Sequence, residues 1–339
     1  MTLKTATGPS STQETERAFD LFGSRVRLLA AGPSSPDRST QVVLPEVEAM
    51  LREMHERLTR FDPASELSAL NADPSETVEC SDYLLTAVEA ALQAAERSGG
   101  LVDPVMIEAL EEAGYSDSRA NAESIPLSDA LHSAPERRAA SPREDSPWKQ
   151  ISIDRRSAEI TRPVGVRIDL GGIGKGLAAD LAASHLEGFA SWCADIGGDL
   201  RLGGTAGADR GIRIPHPLGA GDLELSLSQG AVATSGISRR VWRSSDVRRC
   251  FHHLLDPATG LPAWTGVIQA TAVAGSAQEA ETLSKAALLS GPERGGEILS
   301  SAAGGILILD SGEMEKFGPL SGAFGAGSDD PLEKVQAER

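Results

Sequence analysis

Between Gly171 and Gly176 the chain carries four glycines, at 171, 172, 174 and 176, with a lysine at 175. Just before them Val164, Val166, Ile168 and Leu170 alternate with Gly165, Arg167 and Asp169, the period of a half-buried strand. Leu177, Leu181 and Leu186 follow at roughly helical spacing, and Gly188 suits a helix stop. Arg167 to Asp180 therefore reads as strand end, bare turn and helix start. Such a turn lets a ligand approach the backbone closely, and a helix N-terminus beside a lysine suits a phosphate. It is not a Walker loop, because no Ser or Thr follows Gly174-Lys175, and it does not fit Gly-x-Gly-x-x-Gly with a later acidic residue. Taken alone, it reads first as a plain strand-to-helix connection and only second as a phosphate cradle.

With 339 residues the chain has room for one large domain or two ordinary ones. Only 4% of the residues are aromatic, so the core must come from Leu, Val, Ile and Ala. Lys and Arg number 32 against 49 Asp and Glu, a net charge of −17 that argues against a nucleic-acid partner. Cys80, Cys193 and Cys250 are widely spaced, which implies neither a zinc site nor a disulfide framework. No stretch is apolar enough for a membrane span. Met1 to Glu16 shows no signal-type apolar run and no lipid-attachment cysteine, so the expectation is a cytoplasmic protein.

The expected organisation is a disordered N-terminus (1–17), a single domain (18–324) with a surface excursion near 116–147 carrying one short helix, and a disordered tail (325–339). Phe19 to Ala30 reads as one strand. Pro45 opens a helix whose apolar face includes Val47, Leu51, Met54 and Leu58, and which ends at Phe61-Asp62-Pro63. Ser81 caps a helix that stops at Ser98-Gly99-Gly100. Trp148–Ile153 and Ala158–Thr161 read as a hairpin. Beyond the glycine turn the chain is strand-rich, with segments at 191–202, 213–217, 223–227, 267–273 and 306–309. Ser276 and Glu279 form a capping box for a helix ending at Gly291.

Six motifs recur in a fixed order: Ser65-Glu66-Leu67-Ser68 with Leu70-Asn71, Val102-Asp103-Pro104, Asp169 to Gly176, Ile196-Gly197-Gly198-Asp199, Ala233-Thr234-Ser235-Gly236, and His253-Leu254-Leu255-Asp256-Pro257 with Thr259-Gly260. In this order, from about Ala18 to Leu309, the chain resembles the ApbE family of flavin transferases, which move FMN from FAD onto a Ser or Thr of an acceptor flavoprotein. The resemblance implies that family's α/β fold; the residue patterns alone support a mixed α+β class. It implies FAD as substrate, with Asn71, Val102, Asp103, Pro104, Thr234, Ser235 and Leu255 in the FAD-binding motifs and Asp169 and Lys175 on the flavin nucleotide. Phe22 and Phe61 stand where the family often has a methionine and a tyrosine near a flavin or adenine ring; as phenylalanines they serve equally as core residues. Gly172 is implied to offer a carbonyl to Mg2+.

The late metal segment departs from the family pattern. In place of Ala-Asp-x-x-(Ala or Ser)-Thr it reads Ala280-Glu281-Thr282-Leu283-Ser284-Lys285. Gly172, Glu281 and Ser284 would be the metal residues, but an ammonium cannot coordinate Mg2+, which takes hard oxygen ligands at tightly fixed distances. Glu281 and Lys285 are four apart, in the order that favours a surface pair. Alternatively the Lys285 ammonium supplies charge where the family uses the metal. His253 is the candidate base for the acceptor hydroxyl, or it merely holds the Asp256-Pro257 turn. His252 points to the opposite side of an extended segment. Asp195 and Asp199 flank a glycine pair, and Arg239 and Arg240 read as a solvated turn. Leu320-Ser321-Gly322-Ala323-Phe324 faintly resembles an acceptor target, but Phe324 breaks it. The expected activity is FMN transfer with release of AMP. The alternatives are an FAD-binding protein that does not transfer, and a hydrolase yielding FMN and AMP.

Overall fold

The computed structural model describes residues 2–3, 14–32, 38–117, 124–243, 250–319 and 324–326. Strand β1 is Thr2–Leu3, and β2 (Thr15–Leu21) pairs with β3 (Ser24–Ala31) as a hairpin. Its turn is Phe22-Gly23, with φ of +53° and +63°, the left-handed pair that a twisted two-residue hairpin needs. The single strand expected over Phe19 to Ala30 is thus two strands. Residues 15–17, expected to be disordered, open β2. The rest of that N-terminal stretch, 4–13, lies outside the described residues.

Helix α1 runs over Thr40–Leu58. It starts before Pro45, which sits inside it, and ends before Phe61, so both expected ends are corrected. At its C-terminal end the Ser65 hydroxyl donates to the Thr59 carbonyl (2.6 Å) while accepting from Ser68 N–H (3.0 Å), which starts α2 (Glu66–Ala72) at once. Strand β4 (Thr77–Glu79) leads to α3 (Asp82–Arg97), capped by Ser81, and then come α4 (Ile107–Glu112) and α5 (Leu127–His132). The described part of the 116–147 excursion is tied down by Ile125 N–H to Val241 O, Arg138 N–H to Trp264 O and Ala140 N–H to Leu289 O. A 3-10 turn (Pro147–Gln150) precedes the hairpin of β5 (Ser152–Asp154) and β6 (Glu159–Thr161), which β4 extends to three strands.

Residues 164–170 form no strand. Val164 and Gly165 form a turn, with Gly165 at φ +82° and Val166 N–H donating to Pro163 O (3.1 Å), and beyond it side chains and a loop carbonyl take the hydrogen bonds. The Asn71 amide accepts from Ile168 N–H (2.7 Å) and donates to Ile168 O (2.9 Å), and Asp169 N–H donates to Pro104 O (2.7 Å). The alternation tracks burial only at its end, with Ile168 and Leu170 inside but Val164 exposed. Helix α6 (Gly174–Leu186) follows the glycine turn, and Gly188 (φ +94°) ends its run.

Strands β7 (Ser191–Ile196) and β8 (Asp199–Gly203) form a hairpin around Gly197-Gly198 (φ +64° and +102°), where a single strand was expected. The remaining elements are β9 (Arg210–Ile214), β10 (Leu223–Leu227), β11 (Gly230–Gly236), β12 (Val241–Arg243), β13 (Cys250–His252), β14 (Val267–Ala274), α7 (Ala277–Ser290), α8 (Pro292–Ser301), β15 (Gly304–Leu309), β16 (Met314–Phe317) and β17 (Phe324–Ala326). The capping box is present, since Ser276 Oγ accepts from Glu279 N–H (3.2 Å), and α7 stops at Gly291. β17 takes in two residues of the tail expected to be disordered. Ser321 to Ala323, within the target-like stretch, and residues 327–339 lie outside the described residues.

One antiparallel sheet, ordered β16-β15-β14-β11-β8-β7-β3-β2, forms the frame, and a smaller one, β1-β9-β10-β17, lies apart from it. Side-chain alternation shows how the layers stack. Val26, Leu28 and Ala30 of β3, Trp192, Ala194 and Ile196 of β7, and Ala231 and Ala233 of β11 join the core with residues of α1, α3 and α6. Their neighbours Leu29, Cys193 and Val232 join a second core with Ile212, Ile214, Leu223 and Leu225 of the smaller sheet. Among the described residues no helix is long and apolar enough to cross a membrane.

Helices α6 and α7 meet at Gly176. A Cβ there would stand 2.6 Å from Ala277 O and 2.8 Å from Gln278 Cα. Both are backbone atoms, so neither side can yield by turning a side chain. Asp180 holds the same crossing, accepting from Ala277 N–H (2.8 Å) and Gln278 N–H (2.9 Å) at the start of α7. Gly176→Ala is expected to lower unfolding stability by about 1–3 kcal/mol, as an overpacked core position does. A urea midpoint equal to wild type would contradict this account of the crossing.

Candidate active site

The glycine turn, α1, α3 and the segment after β13 enclose a cleft of about 430 Å³, within the roughly 300–1,000 Å³ usual for small-molecule sites. Its floor is apolar, with Met54, Leu67, Ala87, Ala91, Leu110 and Leu177 among its lining residues. Four cationic side chains, Arg60, Lys175, Arg240 and Lys285, also line it.

Three of the four are seated on carboxylates. Lys175 Nζ donates to Asp199 Oδ2, from the first residue of β8. Arg60 Nε lies 3.1 Å from Asp169 Oδ1, and its Nη2 donates to Tyr115 O (2.7 Å). The Arg60 guanidinium also lies 4.3 Å from the Phe61 ring and 4.9 Å from that of Tyr115. Lys285 Nζ donates to Glu281 Oε1 (2.7 Å), while Glu281 Oε2 accepts from Gly176 N–H (2.8 Å). Burial alone would push the Lys175 ammonium down; the carboxylates of Asp199 and Glu281 outweigh it and the net shift is upward. Burial raises the Asp169 carboxyl, against Arg60 and the Gly171 N–H.

His253 also lines the cleft. Its Nδ1 is buried without a hydrogen-bond partner. Burial and the nearby positive charges of Arg240, Lys285 and Lys175 hold its imidazole well below the ordinary histidine range, so it is neutral at pH 7. His252, the last residue of β13, is fully buried edge-on against Trp264 (4.8 Å), and burial pushes it down to about 3.

Of the residues named from sequence, Phe22, Phe61, Val102, Asp103, Pro104, Asp169, Gly172, Lys175, His253, Leu255 and Lys285 all line the cleft. Asp103 Oδ1 accepts from Val105 N–H (2.8 Å) and its Oδ2 is buried without a partner, with burial raising its pKa. Phe61 is 38% exposed, which removes the core-residue reading for it. Other named residues stand behind the wall. Asn71 clamps Ile168. Thr234 Oγ1 bonds Thr271 Oγ1 (2.8 Å), and Ser235 Oγ bonds Ser284 Oγ (2.8 Å). Asp195 Oδ1 closes its own turn by accepting from Gly198 N–H (2.8 Å), and burial lifts its carboxyl to about 6. Sequence reasoning missed Arg60, Tyr115 and His55, which lines the cleft edge-on to Phe22 (5.1 Å), and Arg240, expected on a solvated turn, is half-buried and lines the cleft. Arg60 adjoins a named Phe and Tyr115 is an isolated aromatic before a polar stretch, weak signals that only the fold brings together.

Of the metal residues implied by resemblance, Glu281 and Ser284 already have hydrogen-bond partners in the wall, and the lysine four residues after Glu281 adds a positive charge where a magnesium ion would sit. Both Glu281 oxygens are already engaged. The Ser284 hydroxyl donates to Glu281 O (3.0 Å) besides its bond to Ser235. Among the described residues no three His, Cys, Asp or Glu side chains converge as a metal group. The Glu281–Lys285 pair is also not on a solvated face, since its side chains are 1% and 13% exposed.

The ApbE family model matches residues 22–309. The chain is 30% identical over 322 residues to the FAD:protein FMN transferase of Treponema pallidum, covering 88% of this chain and 84% of that protein. It is 27% identical over 258 residues to the FAD:protein FMN transferase of Vibrio cholerae, covering 74% of each. Among solved structures it matches the ApbE protein of Thermotoga maritima (TM-score 0.73, 25% identity, 90% of this chain and 97% of that one). It matches the flavinyl transferase ApbE of Pseudomonas stutzeri equally well (TM-score 0.73, 25% identity, 94% and 100%). With its mixed α+β architecture and a sequence match that spans most of its length, the chain belongs to the ApbE family, as a transferase of that family.

Proposed function

We propose that this protein transfers the FMN half of FAD to a Ser or Thr hydroxyl of an acceptor flavoprotein and releases AMP. The observation that carries the reading is His253, whose buried Nδ1 has no hydrogen-bond partner, in a cleft also lined by Arg60, Lys175, Arg240 and Lys285. The printed activity of the Treponema and Vibrio relatives supports it.

In this reading the acceptor oxygen attacks the FMN-side phosphorus of FAD. A new P–O bond forms, the bridging P–O bond breaks, and AMP leaves with the bonding electron pair. The hydroxyl proton passes to His253. Phosphoryl transfer depends mainly on positioning and charge neutralisation. Lys175 provides a fixed positive charge, held by Asp199, and the α6 N-terminus behind the glycine turn adds its dipole. The apolar floor, with Phe22 and Phe61 at the cleft, suits the ring systems of the dinucleotide.

The test mixes purified protein, FAD and an acceptor domain bearing the target hydroxyl. Covalent flavin on the acceptor with matching AMP is expected. Intact bound FAD alone would make the protein a flavin binder. Free FMN and AMP without acceptor labelling would make it a hydrolase.

A further inference from the structure

The Glu281–Lys285 pair is buried in a wall that faces a ligand cleft, and burying two charges is costly unless the geometry compensates. Here Glu281 is a shared strut. One oxygen holds the Lys285 ammonium, and the other takes the N–H of Gly176 in the first turn of α6. Lys175, in that same turn, sits on Asp199. Two ammonium groups therefore line the cleft, one from α6 and one from α7, each paired with a carboxylate that is itself at most 2% exposed. A cation bound at Glu281 would stand beside the Lys285 ammonium and the Gly176 N–H at the positive end of α6, and both repel it.

We propose that Lys175 and Lys285 together form the diphosphate site, so that FAD binds without a divalent metal and Lys285 is the residue that makes the metal unnecessary. The inference rests on the FAD reading above. Lys285 is a binding residue in this account, because it touches the phosphates directly. Glu281 is a positioning residue that acts through it. The alternative role, a purely structural tie between α6 and α7, makes a different prediction for ligands that lack the diphosphate.

The experiment titrates flavin fluorescence with the full chain, using FAD and riboflavin as probes, in EDTA and again with added Mg2+. Wild type is expected to bind FAD equally in both. Lys285→Met strands the buried Glu281 carboxylate, so it is measured beside the double variant Lys285→Met with Glu281→Gln, which removes the stranded charge. The double variant is expected to weaken FAD by about ten- to a hundredfold, the loss of one charge-assisted hydrogen-bonding group, while its riboflavin binding stays unchanged and reports an intact fold. Lys285→Arg is expected to retain most FAD affinity in EDTA. Lys285→Thr, which frees Glu281, is expected to regain FAD affinity only when Mg2+ is added.

Wild-type protein that binds FAD only after Mg2+ is added overturns the inference and leaves the transfer reading standing. Equal weakening of FAD and riboflavin by the double variant also overturns it, in favour of the structural tie. Metal-free FAD binding that depends on Lys285, without any labelling of an acceptor, supports the inference and removes the transfer reading. Absence of FAD binding under every condition removes both.

Discussion

Replacing His253 by alanine is expected to slow flavin transfer by roughly a hundred- to ten-thousandfold, the usual contribution of a positioned general base. FAD binding should change far less, because the cations that hold phosphate belong to other elements. The pH profile sharpens the prediction. A base works when deprotonated, and burial with neighbouring positive charge holds His253 well below the usual histidine value. The acid limb of kcat/KM, which reports the free enzyme, should therefore fall below about pH 6.5, the unperturbed value. The same shift bears on stability. A depressed folded-state pKa contributes stability that is fully present above the unfolded value and is lost as pH falls toward the folded one. Transfer by His253→Ala at the wild-type rate, or an acid limb above pH 7, would remove His253 from the base role.

Lys175→Met is expected to act on binding and on folding together. It removes a cation from the cleft and leaves the Asp199 carboxylate, whose side chain is 2% exposed, without its ammonium partner. Breaking a buried pair in this way costs about 3–5 kcal/mol. The double variant Lys175→Met with Asp199→Asn removes the stranded charge and should recover most of that stability. FAD affinity should remain low in both, since neither restores positive charge. Chemical denaturation separates the first effect and flavin titration the second. Wild-type FAD affinity in the double variant would show that Lys175 serves the fold alone.

The parts of this site that were legible in the sequence are those written as local backbone requirements. The bare turn from Gly171 to Gly176 precedes a helix as expected, and the Ser276–Glu279 box caps α7 because a cap needs only residues three apart. Elsewhere local pattern misled. Val164 to Leu170 alternate like a strand, yet the Asn71 side chain and the Pro104 carbonyl hold the segment instead of a neighbouring strand. Period two marks Ile168 and Leu170 as buried, misses that Val164 is exposed, and says nothing about which groups take the backbone hydrogen bonds. The Phe22-Gly23 and Gly197-Gly198 turns were hidden inside apparent strands for a related reason, since two residues with positive φ scarcely interrupt an apolar pattern.

Glu281 and Lys285 show where sequence stops. Their spacing established that they would pair on one helix face. Whether that face met water or another helix depended on α6, a hundred residues away in the chain, whose Gly176 approaches closely enough to cover it. Arg60, Tyr115 and Arg240 likewise carry no motif and meet only because the ends of α1 and α4 and the start of β12 converge on one cleft. The family, the glycine turn and the identity of the charged groups were determined by the order of residues. Their burial, their pairing and the character of the cleft were decided by tertiary packing, because the dielectric around a charge is set by whatever segment folds over it.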